Sequence, residues 1–166
     1  VANPFILLDI GGATTDIHYS KDLVDENIVT ENEYDRLVFK RLGVYKSRQS
    51  LILAAQSNEF VYELLLHLGV TENIYNEQTD KATKILMQLA IFLVLCKMSH
   101  YRQSYVNLRL LQINSIVLTG GITKVLSQDE VETIIAFFYR KILSSGHNPV
   151  AVMDSNYDIW TLGTKV

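Results

Sequence analysis

Two aspartates seven residues apart, Asp9 and Asp16, enclose Gly11, Gly12, Ala13, Thr14 and Thr15 in the stretch "DIGGATTD". Asp9 ends the wholly apolar run Phe5–Leu8, so a carboxylate stands where a rigid element stops. Gly11, Gly12 and Ala13 leave backbone N–H groups without bulky cover, as an anion-binding turn requires. The hydroxyls of Thr14 and Thr15 can bond phosphate oxygens. A turn centred on Gly12-Ala13 sets Asp16 opposite Asp9, and two close carboxylates become tolerable beside a divalent cation or its waters. A plain glycine hairpin fits the same residues. A second glycine turn, Thr119-Gly120-Gly121, follows the apolar run Ile116–Leu118. It reads either as a simple strand–turn–helix connection or as a backbone that a flat ligand can approach. Ligands of α/β sheets gather at the carboxyl ends of strands, and both turns fall at such ends.

The elements that must position these turns follow from pattern. Phe5–Asp9 has no polar alternation and reads as a strand buried on both faces. Thr15–Tyr19 reads as the returning strand and Arg36–Tyr45 as a third. A helix is predicted over Gln49–Leu68 with Leu51, Ala54, Val61, Leu65 and Leu68 on its stripe, closed by Gly69. A second is predicted over Asp80–Tyr105, apolar nearly all round and therefore sandwiched. Ile113–Gly121 reads as a buried parallel strand. Ser127 to Glu130 fits a capping box, the helix it opens buries Val131, Ile134, Ile135, Phe138 and Ile142, and Gly146 suits its C-cap. Pro149–Met153 is a last core strand.

The chain has 166 residues, 48% hydrophobic and 20% charged, with net charge −3. This is the composition of one globular domain with no basic excess for nucleic acid or an anionic membrane surface. Cys96 is the single cysteine, which excludes an internal disulfide framework and fits a reducing, cytoplasmic setting. The apolar run Ile85–Cys96 is shorter than the ~18 residues of a membrane span and reads as a core helix. The sequence opens at Val1 without a basic n-region or cleavage site, so no signal peptide is expected, and the absent initiator Met suggests a segment of a longer protein. Cys96 and His100, one helical turn apart, lack an evident third metal ligand and read as core residues. An RNase H-like nuclease would need further acids on the later strand, which ends in Thr-Gly-Gly instead. The P-loop lysine, GxSxG and HExxH motifs are absent. His18 faces either the cleft or solvent.

"LLDIGGATTDIHYS" resembles the second phosphate loop of the superfamily of actin, heat-shock chaperone and sugar-kinase ATPases, and "IVLTGG" is similar to its adenosine loop. The "GGATTD" form resembles the MutL/GlmL-type accessory proteins that reactivate glutamate mutase and related adenosylcobalamin-dependent mutases. The tail "VMDSNYDIWTLGTKV" and the Leu-Gly turn of "RLGVYKSRQSL" sit in the family's order.

The resemblance implies an RNase H-like/actin-like α/β domain over residues 1–166. Its sheet would be mixed, three antiparallel N-terminal strands and two parallel ones, with helices on both faces. The phosphate loop would be 9–16, the helical segment 49–105 and the adenosine loop 117–121. It implies ATP or ADP with Mg²⁺, a preceding N-terminal half carrying the other phosphate loop, and a cobalamin-dependent mutase as partner. Asp9 and Asp16 would be the catalytic and metal-shell carboxylates. Gly11, Gly12, Ala13, Thr14 and Thr15 would bind phosphates, and Thr119, Gly120 and Gly121 would border the adenosine. Where the family tends to place acids before its Leu-Gly turn, this chain has Phe39, Lys40 and Arg41. Two consequences are open: a phosphate contact by Lys40 or Arg41, or a domain that hydrolyses poorly or does not bind nucleotide. A non-catalytic interaction domain and half of a small-molecule kinase are the alternative functions.

Overall fold

The computed structural model describes residues 5–10, 14–20, 34–40, 48–100 and 110–154; residues 14–20, 34–40 and 100 are described by backbone alone. Strand β1 (Phe5–Ile10) is followed by β2 (Thr14–Ser20) and β3 (Tyr34–Lys40). Helices α1 (Arg48–Ser57), α2 (Val61–His67) and α3 (Asp80–His100) come next. Then β4 (Ser115–Thr119), α4 (Gln128–Lys141) and β5 (Val150–Asp154) complete the described elements. The sheet order is β3-β2-β1-β4-β5.

The sheet is built outward from β1. Its side chains alternate between two apolar environments, as the two-residue period of a strand requires. Ile6, Leu8 and Ile10 face the helical layer and join Ile116, Leu118 and Ala151 in the main core. Phe5 and Leu7 face the other way and cluster with Val117 and Val152.

The expected mixed sheet with helices on both faces requires correction in the part of the sheet whose side chains are described. Where the side chains of the sheet are described, its strands are β1, β4 and β5, and their pairings are all parallel. The antiparallel pairings of β2 with β1 and with β3 are backbone registers at one side of this packed part. All the described α-helices contribute to the core on the Ile6 face. The physical reason is connectivity: β4 and β5 are each reached through a helix, and a helical crossover returns the chain in the same direction.

α3 is the centre of the helical layer. Every residue from Ile85 to Cys96 is buried, including Gln88. The Asp80–Ser99 stretch has the length and composition of a membrane span, yet 83% of its window is buried inside the domain. It packs against α1 and α4. Phe92 meets Phe137 and Phe138 edge-on, with centroids 5.7 and 6.3 Å apart, pairs worth about 0.5–1.5 kcal/mol each beyond simple burial. The expected extension to Tyr105 lies outside the described residues.

Local chemistry explains where helices start and stop. Ser127 Oγ accepts from the Glu130 N–H (3.2 Å), and the Ser127 N–H donates to Glu130 Oε1 (2.9 Å), closing the capping box. Arg140 and Lys141 occupy the last turn of α4, where the helix dipole favours cations. The left-handed residue that follows is Ser144 (φ 54°), a correction to the expected Gly146. Gly69 does adopt positive φ (74°) after α2.

The single helix expected over Gln49–Leu68 is two. Ser57 Oγ donates back to the Leu53 carbonyl (2.8 Å), and Asn58 Oδ1 accepts from the Phe60 N–H (2.9 Å). Such side-chain bonds compete with helix continuation. The break also shifts the buried stripe to Leu51, Ile52, Ala55, Val61 and Leu64.

Tyr139 is 1% exposed and its hydroxyl donates to the Leu110 carbonyl at 2.7 Å. Tyr139→Phe strands that carbonyl without its partner, a cost of about 1–2 kcal/mol. Thermal unfolding followed by circular dichroism is expected to show Tm lowered by roughly 2–8 °C.

Candidate functional site

Three parallel strands end together at one row of the sheet. Asp9 of β1 is in register with Thr119 of β4, and Thr119 with Asp154 of β5. On the other side of β1, Asp9 is in register with Asp16 of β2, and Asp16 with Val38 of β3. The row across the sheet is therefore Val38, Asp16, Asp9, Thr119, Asp154. This brings Asp9, Asp16 and Thr119 together, as adjacent register positions in a row about 4.8 Å per step.

Asp9, Thr119 and Asp154 lie on the strand face away from the described helices. Period-two alternation puts Asp9 on the same side as Phe5 and Leu7, and Thr119 on the side of Val117. The apolar cluster on that face stops where the acids begin. Thr119 is fully buried, and its hydroxyl donates to the Asp154 backbone carbonyl (3.0 Å), tying the ends of β4 and β5. Asp154 is 5% exposed. Asp9 is half-buried.

Gly120 defines how closely the two turns meet. Its φ is 94° and ψ −172°, a region that only glycine occupies at low cost. A Cβ placed there would lie 2.7 Å from Asp9 Oδ1 and 2.7 Å from the Ile10 carbonyl oxygen. The Asp9 carboxylate thus rests against the bare backbone of the second glycine turn. Gly121 opens a short 3-10 turn to Lys124, whose Thr123 hydroxyl donates to the Gly120 carbonyl (2.8 Å). Gly121 itself has open space around it.

No family model and no curated protein matches the chain.

Of the residues expected from sequence, Asp9, Thr119, Gly120 and Gly121 lie at one end of the sheet. Asp16, Thr14 and Thr15 are placed by strand register: Thr15 beside Ile10, and Thr14 beside Lys40 of β3. Gly11, Gly12 and Ala13 lie outside the described residues, as do Arg41, Leu42 and Gly43. Asp154 joins the row without having been singled out from the sequence. Its signal was present: "VAVMD" is an apolar run ending in Asp, the same pattern as "FILLD".

Other candidates resolve differently. Among the described residues whose side chains are placed, no group of three His, Cys, Asp or Glu could hold a metal ion. Cys96 is buried. Desolvation pushes its thiol up to about 12, against a smaller opposing effect from an Asn58 hydrogen bond. A groove of about 370 Å³ lies beside α2, lined by Tyr62, Leu66, Val70 and Tyr75 among others. None of the row residues lines it.

Two outcomes follow. Gly120→Ala is expected to cost about 1–3 kcal/mol through its backbone region alone, and more through the overlap with Asp9. Gly121→Ala is the control and is expected to leave Tm nearly unchanged; paired thermal melts distinguish the two positions. Cys96 is expected to resist a thiol reagent at pH 8 in the folded protein, because the reactive species is the thiolate. It should titrate fully once the chain is unfolded in guanidinium.

Proposed function

We propose that the Asp9–Gly120 end of the sheet binds the phosphates of a magnesium nucleotide, and that the chain is the nucleotide-binding half of an ATPase-type accessory protein. The observation that carries this reading is the contact of the Asp9 carboxylate with the Gly120 backbone at the carboxyl ends of parallel strands. By the resemblance of "GGATTD", the protein would serve an adenosylcobalamin-dependent mutase in the cytoplasm, releasing damaged cofactor at the expense of ATP.

The residues suit such a ligand. Asp9 and Asp16 are hard oxygen donors of the kind Mg²⁺ takes, directly or through water. Two carboxylates at paired positions of an antiparallel register repel each other, and a bound cation relieves that repulsion. Gly120, by lacking a Cβ, lets the Asp9 carboxylate lie directly against its backbone. Asp9 would hold the metal's waters or orient the attacking water. Asp16 would support the metal shell. Thr14, Thr15 and the Gly11–Ala13 amides would contact phosphate oxygens, and the backbone from Thr119 to Gly121 would border the adenosine. Magnesium, when bound, supplies neutralisation of phosphate charge; the chain supplies position and electrostatic complementarity. A second phosphate loop from a preceding half completes the clamp in this reading.

Lys40 bears on competence. It pairs in register with Thr14, at the start of β2. A cation at that position either joins the phosphate contacts or weakens the metal shell. A protein-interaction domain without hydrolysis is the second reading, and it draws on the exposed Leu53, Tyr62 and Leu66 of α1 and α2.

Calorimetry on the protein joined to its preceding half tests the proposal. Mg-ATP is expected to bind, and Asp9→Asn to weaken binding at least tenfold, about 1.4 kcal/mol. Asp9→Ala is expected to abolish ATP turnover while circular dichroism stays unchanged. Absence of Mg-ATP binding by the parent protein would refute the ATPase reading and leave the interaction domain. Turnover that requires a small sugar or acid would point to a kinase instead.

A further inference from the structure

Strand β5 ends the sheet order, with β4 beside it and no strand beyond it among the described residues. Such an edge offers unpaired backbone groups to any extended chain. The Val150 N–H donates to the Asn114 carbonyl (3.1 Å), so Val150 turns its backbone groups toward β4. By strand alternation the next residue, Ala151, turns its N–H and C=O outward.

Both outward groups of Ala151 are occupied by side chains. Gln128 Nε2 donates to the Ala151 carbonyl (3.1 Å), and the Ala151 N–H donates to Glu132 Oε1 (3.4 Å). Gln128 Nε2 also donates to Glu132 Oε1 (3.2 Å). The two side chains sit one turn apart on α4, and together they provide the donor and the acceptor that a neighbouring strand would provide.

We propose that Gln128 and Glu132 form an edge clip that keeps two copies of this chain from pairing through β5. The occupant excluded is a second β5. Residues whose groups point outward meet each other in an antiparallel pair, so two Ala151 residues would face each other across a two-fold axis. Val150, which is 56% exposed, and the partly buried Val152 are β-branched residues suited to such a pairing. The Glu132 carboxylate adds a charge to the edge, a common way of blocking strand addition.

The clip is tested by light scattering on Gln128→Ala/Glu132→Ala, substitutions that keep good helix formers in α4. The parent chain is expected to run as one copy and the double variant to double in mass as concentration rises. Adding Val150→Lys to the double variant is expected to restore the single copy. A double variant with the parent's mass overturns the proposal, and so does association that survives Val150→Lys. Hydrogen exchange on the parent supplies a test that does not depend on the variant's folding. The Ala151 amide is expected to be protected, and exchange as fast as that of an open loop amide would refute the clip.

Discussion

Parallel pairing of β1 with β4 carries Asp9 to Thr119 and sets Gly120 against the Asp9 carboxylate. The pairing is enforced from both faces. Ile6, Leu8 and Ile10 are held in the helical core with Ile116 and Leu118, while Phe5 and Leu7 pack with Val117 on the other side. A slip of one residue would exchange these two sets and carry Asp9 to the helical face. The register at the polar end of the sheet is therefore determined by apolar residues that take no part in its chemistry.

The helical layer provides the other half of that constraint. α3 is buried along nearly its whole length, so it cannot shift without exposing Leu86, Phe92 or Leu95. α4 packs on it through Phe137 and Phe138 and reaches over the edge of the sheet with Gln128 and Glu132. The same helix thus fills the core with one face and satisfies backbone groups of β5 with the other. Surface ion pairs contribute less. Lys81 beside Glu72 (2.5 Å) holds that carboxyl down at about 2, but the pair is exposed and solvent screens it.

Backbone economy explains why the polar row sits at the strand ends. Thr119 is fully buried, yet its hydroxyl is spent on the Asp154 carbonyl, so it ties two strands rather than projecting into the ligand space. Gly120 leaves the helical and extended regions at once, which ends β4 abruptly and lets the Asp9 carboxylate and the Ile10 carbonyl pack against it. The carboxylates then lie where apolar packing stops, and a site there can be wet on one side and rigid on the other.

Much of this was legible in one dimension. Unbroken apolar runs marked β1, β4 and the middle of α3, because a segment buried on all sides has no polar face to display. The capping box of α4 and the C-cap Gly69 were readable because those bonds are local. The pairing of Asp9 with Asp16 was readable because glycines between two strand-like runs permit a short reversal. What the sequence could not determine were relations between distant segments. The break at Asn58 turned on side-chain bonds that outcompeted a continuing helical pattern. The use of Ser144 rather than Gly146, the one-sided helical layer and the membership of Asp154 in the row depended on packing and strand order. The sequence by itself specified which residues carry charge, hydroxyls and bare backbone. Only the tertiary structure decided which of them share a row, because the register of β1 on β4 and of β4 on β5 is chosen by burial of side chains that stand 110 and 35 positions apart in the chain.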